Sequence, residues 1–240
     1  MNAQAVRQFF NQLPAPARQF ARQVRDGLRW MRGAAHPAKL ARTLAYHCHL
    51  NRLSGDLIDG VHLGSGGLRI EGFLNLDADF AIDCDLVARS EHLKFAPNSV
   101  GIIYASHLFE HVARGRIAEV LANWFSVLRP GGKLYLCVPD LEALARLYID
   151  SLPQCATQDG RDRADLIARV IYGGQTDRYD FHFFGYSLAT MRGWLEAAGC
   201  TCVNRFDRAS LGFAPFKDCG YACIGDVLVS LNVEAVKPNC

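Results

Sequence analysis

Residues 61–67 read VHLGSGG and residues 73–77 read FLNLD. GVHLG (60–64) and FLNLD are each too short and too rich in β-branched or aromatic residues to prefer a helix, so both are expected as buried strands. Between them, Gly64 and Gly66 let the backbone come close to a neighbour with no Cβ in the way. Asp77, or Asp79 beside it, stands where two carboxylate oxygens could accept both hydroxyls of a ribose. A nucleotide-binding turn and a plain tight turn between buried strands both fit these residues. The dinucleotide fingerprint GxGxxG is not met, because Arg69 occupies the place of its third glycine, and a nicotinamide oxidoreductase is disfavoured.

The same texture continues outward. GIIYAS (101–106) and KLYLCV (133–138) read as further buried strands. Ile117, Val120, Leu121, Trp124 and Leu128 recur at helical spacing between them, and Arg129-Pro130-Gly131-Gly132 is expected to end that helix and turn the chain. Strands alternating with helices predict an α/β fold, a doubly wound parallel sheet with helices on both faces. Ser187 is expected to cap a late helix over 188–198 that stops at Gly199. CTCVNRF (200–206) and VLVSLNVEAV (227–236) are expected to be strands, joined by a long excursion over 208–225. Residues 151–180 fit a helical insert or lid beside the site.

Ahead of this alternating region, residues 1–55 read as a basic helical extension broken by Pro14, Pro16 and Pro37, leaving 56–240 as the main domain. Residues 1–46 hold seven arginines and one lysine against Asp26 alone, while the whole chain nets only +2. Arg18, Arg22, Arg25, Arg29 and Arg32 share one helical face. Such a face suits nucleic acid, an anionic lipid surface in peripheral contact, or an acidic glycan; a solvated face is the plainer reading. No run approaches the roughly 18 apolar residues of a membrane span, and a cytoplasmic protein is expected. Nine cysteines, an odd number with no regular framework, point to reduced thiols. Cys200, Cys202, Cys219 and Cys223 match no zinc pattern and are expected to be buried as small apolar residues.

Taken in order, HLGSGG, FLNLDAD, SVGIIYASHLFEHV and LRPGGKLYLCVPD resemble the class I methyltransferases that use S-adenosylmethionine. The short gap between the first two blocks resembles a bacterial branch associated with surface polysaccharide formation. HFFGYSLATMRGWLEAAGC and VLVSLNVEAV extend the resemblance over most of 60–237. It implies a seven-stranded sheet with the last strand antiparallel and S-adenosylmethionine as cofactor. It further implies that Gly64, Ser65 and Gly66 line the methionine part and that Asp77 holds the ribose. Two departures stand out. Arg89 occupies the place of the family's adenine-side acid four residues before Leu93, with Glu91 or Asp85 as substitutes. Gly101 stands where an acid is usual, at a position that a purely structural role would also explain.

Methyl transfer from a sulfonium is an in-line displacement, so the protein orients the acceptor and excludes water. A hydroxyl acceptor would be helped by a base, and histidine suits neutral pH. SHLFEHV follows a strand, so His107, Glu110 and His111 are expected near the cofactor, on one face if the turn is helical. His111 is the leading base or acceptor-orienting group, with His107 and Glu110 beside it; helix capping by Glu110 and His111 is the alternative. Some family members hold a divalent metal here with acids and a histidine, but His107 stands where an acid would help, and no metal is expected. His182, Tyr186 and Asp140 are secondary candidates, with core packing and helix capping as their plainer roles. The expected reaction is O-methylation of a small molecule or glycan. RNA methylation through the arginine-rich front, or cofactor and partner binding without turnover, are the alternatives.

Overall fold

The computed structural model describes residues 37–48, 57–176, 179–213 and 218–239. The five arginines from Arg18 to Arg32 lie outside these described residues. In chain order the strands are β1 (Ile58–Leu63), β2 (Phe73–Asp77), β3 (Leu86–Val87), β4 (Val100–Ser106), β5 (Leu128–Pro139), β6 (Thr201–Arg205), β7 (Cys223–Ile224), β8 (Val227–Leu228) and β9 (Ser230–Val236). The α-helices are α1 (Pro37–Cys48), α2 (Ile117–Val127), α3 (Leu141–Ser151), α4 (Gln158–Tyr172) and α5 (Leu188–Ala197).

Seven strands make one sheet in the order β3-β2-β1-β4-β5-β9-β6. The pairs among β1 to β5 are parallel, and only β9, last in the chain, runs antiparallel to its neighbours β5 and β6. Strand order reverses between β1 and β4, so a crevice opens outside their carboxyl ends, which is where such sheets bind ligands. The register places Leu63 of β1 between Leu76 of β2 and Ala105 of β4, all three fully buried.

One face of the sheet is covered by α1, α2 and α5. On α2 the helical period puts Ile117, Val120, Leu121, Trp124 and Val127 on the buried side. Each such side chain is worth about 1.5–3 kcal/mol of burial, and the Trp124 indole also donates to the Ser90 carbonyl at 2.7 Å. α1 is tied to the other edge: Thr43 Oγ1 accepts from the Val87 amide at 3.1 Å and the Tyr46 hydroxyl accepts from the Lys94 amide at 2.7 Å. Burial pushes the Tyr46 phenol up to about 12. On the opposite face Tyr104, Tyr135 and Cys137 are packed by Phe73, Phe206, Leu211 and Phe213. α3 and α4 form a further layer with the β7-β8 hairpin through Leu144, Ile167, Ile224 and Val229.

Several local expectations are corrected. β1 starts at Ile58 and ends at Leu63, and Gly64 belongs to the turn. Residues 129–132 do not separate helix from strand: β5 already begins at Leu128, and the register jumps from Val100 beside Leu128 to Ile102 beside Lys133. This bulge is held because the Gly131 amide donates to the Lys237 carbonyl and the Lys237 amide to Gly132. Gly101 is structural: a Cβ there would lie 2.8 Å from the Asp59 carbonyl oxygen. The run 227–236 is two strands, since Val227–Leu228 folds back on Cys223–Ile224 before β9 begins. Cys200 is buried, but Cys202, Cys219 and Cys223 are exposed, and all are free thiols. Ser187 does cap the late helix, in a reciprocal box with Thr190.

His62 carries a pH dependence. It is buried against Tyr104, and its Nδ1–H donates to Asn75 Oδ1 at 3.2 Å. Burial lowers its pKa, only partly offset by the Asn75 hydrogen bond and the carboxylates of Asp218 and Asp77. Between the lowered folded value and the unfolded value of about 6.5, the unfolded chain binds more protons, so stability rises with pH through that window. The melting temperature should therefore fall on acidification from about pH 7.5 to about 5.5, and His62→Gln should flatten that fall. An equal slope in the variant would assign the effect to other groups.

Candidate functional site

The glycine turn sits on the carboxyl end of β1. Gly64 and Gly66 have φ of 61° and 55°, a region that side chains disfavour. A Cβ on Gly64 would lie 2.8 Å from Leu108 Cδ1, so this turn abuts the one that follows β4. A Cβ on Gly66 would meet nothing within 4 Å, which leaves open space over the turn. Ser65 is buried and its amide donates to the Leu76 carbonyl at 3.0 Å, while its Oγ has no hydrogen-bond partner. Asp77 Oδ2 accepts from the Gly66 amide and Oδ1 from the Asp79 amide, both at 2.8 Å. Each oxygen keeps a further lone pair. A backbone cradle, an orphaned hydroxyl and a half-buried carboxylate at its edge fit an adenosine cofactor.

The neighbouring acids each have partners within the protein. Asp79 is exposed and caps Ala81. Asp85 accepts from the Asn75 amide and side chain, both at 3.0 Å, and pairs with Arg69. Asn75 is the hub here, since its Oδ1 also accepts from the Ile70 amide at 2.8 Å. Glu91 Oε1 takes the Arg89 guanidinium at 2.6 Å, so this pair stands together beyond β3.

On the acceptor side, β4 ends at Ser106 and His107 turns the chain at φ 48°, its amide donating to the Cys137 carbonyl at 2.7 Å. The turn Phe109–His111 is a single 3₁₀ turn. It brings His107 and Glu110 together, with His107 Nδ1 3.4 Å from Glu110 Oε1. His111 faces another way, toward the segment 179–186. Its Nδ1 lies 3.0 Å from the Phe181 carbonyl, so Nδ1 carries the proton and Nε2 the free lone pair. The same segment sets His182 edge-on to His111, with ring centroids 4.8 Å apart, and His182 Nε2 3.9 Å from Glu110 Oε1. The Phe183 amide anchors this segment on the Glu110 carbonyl at 2.8 Å.

Glu110 is 1% exposed, and neither carboxylate oxygen has a hydrogen-bond partner. Burial pushes its pKa up, but the imidazoles of His107 and His111 outweigh that and hold it below the usual carboxylate range. Burial, with His111 nearby, lowers His182 against the opposing pull of Glu110. Burial and the Glu110 charge push the Tyr186 phenol up; its ring stacks on Phe109 and its hydroxyl is unpartnered. Asp140 takes its plainer role, capping α3 through the Glu142 and Ala143 amides and pairing with Arg205 at 2.9 Å. Sequence reasoning missed Asn75 and Ser106, although a polar residue inside FLNLD was a visible signal for the first. A cleft of about 650 Å³ beside Arg42, Ile58, Asp59 and Phe73 lies at the amino ends of β1 and β2, away from this chemistry.

The methyltransferase domain family Methyltransf_11 matches residues 72–136, from just before β2 to within β5. The match is to a methyltransferase domain and falls on the part of the chain that forms β2 to β5 of the Rossmann-like sheet. No curated protein matches the chain. Among solved structures it is similar to an S-adenosylmethionine-dependent methyltransferase of Mesorhizobium loti, with 14% identity, 76% of this chain and 92% of that one covered, and a TM-score of 0.45. It is also similar to a methyltransferase of Thermotoga maritima, with 15% identity, 91% and 98% covered, and a TM-score of 0.44. A third is the 1,6-didemethyltoxoflavin-N1-methyltransferase of Burkholderia thailandensis, with 14% identity, 94% and 92% covered, and a TM-score of 0.42.

Proposed function

We propose that this chain transfers the methyl group of S-adenosylmethionine to a hydroxyl of a small molecule or glycan, in the cytoplasm. One observation carries the reading. Among the described residues, the buried side-chain polar atoms without partners are those of Ser65, Ser106, Glu110, His182 and Tyr186, and they gather around the carboxyl ends of β1, β4 and β5. Buried polar groups are ordinarily satisfied, so a row of orphans at the ligand edge of an open sheet awaits ligand atoms. In this reading Gly64, Ser65, Gly66 and Asp77 hold the cofactor, with Glu91 toward the adenine. His107 and Glu110 stand behind the acceptor side of the site, and the free lone pair of His111 orients the acceptor hydroxyl. The glycan class draws its support from the sequence resemblance and the free thiols suit a reducing compartment.

The test is release of S-adenosylhomocysteine in a screen of hydroxyl-bearing sugars, glycans and small molecules, with RNA as comparator. Turnover on a hydroxyl acceptor is expected. His111→Ala should lower kcat about 100-fold through misplacement of the acceptor, with cofactor affinity little changed. Turnover on RNA alone, lost when residues 1–46 are removed, would replace this reading by RNA methylation.

A further inference from the structure

We infer that Glu110, His111 and His182 form a binding site for a divalent transition-metal ion. One donor atom from each lies within 4.8 Å of the others. A two-histidine, one-carboxylate set is a recurrent way to hold such an ion with open positions left for a ligand. The inference deepens the methyl-transfer reading: with an ion bound, the His111 lone pair would act on the acceptor hydroxyl through the ion instead of directly, and the hydroxyl proton would be easier to lose.

Two features point to a cation. Glu110 is almost wholly buried with both oxygens lacking a hydrogen bond, and an anionic carboxylate in that state is costly unless a positive charge completes it. His107 approaches only Oε1, and its Nε2 is turned to Ser230 Oγ at 3.2 Å, so it leaves Oε2 unaccounted for. Second, His111 is held in the tautomer a ligand needs: its Nδ1–H is fixed by the Phe181 carbonyl, the arrangement by which backbone carbonyls orient metal-binding histidines.

His107, whose presence in place of an acid argued against a metal in the sequence, is not a member of this set. The third donor comes from the segment 179–186, which the spacing of SHLFEHV could not reveal. Imidazole nitrogens favour zinc, cobalt, nickel or iron over magnesium, calcium and manganese. Loading would draw the three donors together by roughly 1 Å to reach ordinary metal–nitrogen and metal–oxygen lengths, tying 179–186 to the turn after β4.

The full chain, stripped with chelator, would be titrated with Co²⁺ followed by absorbance and with Zn²⁺ by calorimetry. S-adenosylmethionine binding is measured on the same samples. One saturable ion per chain is expected, with no thiolate charge-transfer band, which separates this site from the cysteines. His182→Asn and Glu110→Gln should each weaken binding at least tenfold; His182→Asn serves if the buried Glu110 change impairs folding. No saturable binding, a thiolate band, or equal affinity in His182→Asn overturns the metal site. If cofactor binding persists in that case, the methyl-transfer reading stands without it. If cofactor binding is absent while the metal binds, the failure lies with that reading.

Discussion

Asp77→Ala is expected to weaken S-adenosylmethionine binding by roughly 2–4 kcal/mol, about 30- to 900-fold, as two charge-assisted hydrogen bonds to the ribose are lost. The carboxylate also accepts from the Gly66 and Asp79 amides, so alanine releases the glycine turn as well. Asp77→Asn separates the two contributions. It keeps one oxygen acceptor and lacks the charge, and should fall between wild type and alanine. Calorimetric titration of the three proteins decides the matter. Equal affinity in all three would leave VHLGSGG a tight turn and remove the basis for the cofactor site.

Asp218→Ala should lose about 3–5 kcal/mol of stability, the usual result of leaving a buried charge without its counterpart. Asp218 Oδ2 takes the Arg208 guanidinium at 2.7 Å and accepts the Tyr104 hydroxyl, and Oδ1 accepts from the Gly220 amide at 2.9 Å. The Arg208 and Asp218 side chains are only 2% and 3% exposed, so solvent screens little of the pair. Urea denaturation reads the effect as a shift of midpoint at constant slope. A loss below about 1 kcal/mol would mean that the pair behaves like an exposed one. The consequence reaches the site, because the Gly220 carbonyl holds Asn232, Asn232 holds Ser230, and Ser230 meets His107. Cofactor turnover should therefore fall along with stability.

Much of the sheet was legible because its strands are local patterns. FLNLD is β2 residue for residue, and the period of Ile117, Val120, Leu121 and Trp124 placed α2. The glycine turn was legible too, since a φ near +60° at Gly64 and Gly66 is a demand on residue type that leaves its mark in the sequence. β3 was not, because two residues carry no periodicity and Leu86 and Val87 are strand only by pairing with Leu76 and Asp77. Arg129-Pro130-Gly131-Gly132 misled for a similar reason: its breakers are real, but pairing with β4 and the Lys237 backbone just past β9 accommodate them as a bulge inside a strand.

The candidate site divides along the same line. Spacing alone determined that His107, Glu110 and His111 share one turn at the carboxyl edge of β4, and that Asp77 ends β2 opposite the glycines. Only the tertiary structure decided which histidine each group meets: His107 turns to Glu110 and Ser230, while His111 turns to Phe181 and His182 from a segment far along the chain. Local sequence sets backbone conformation and burial pattern through short-range sterics. The partner of a buried charge is set by which distant segments pack together, and no spacing in the sequence encodes that.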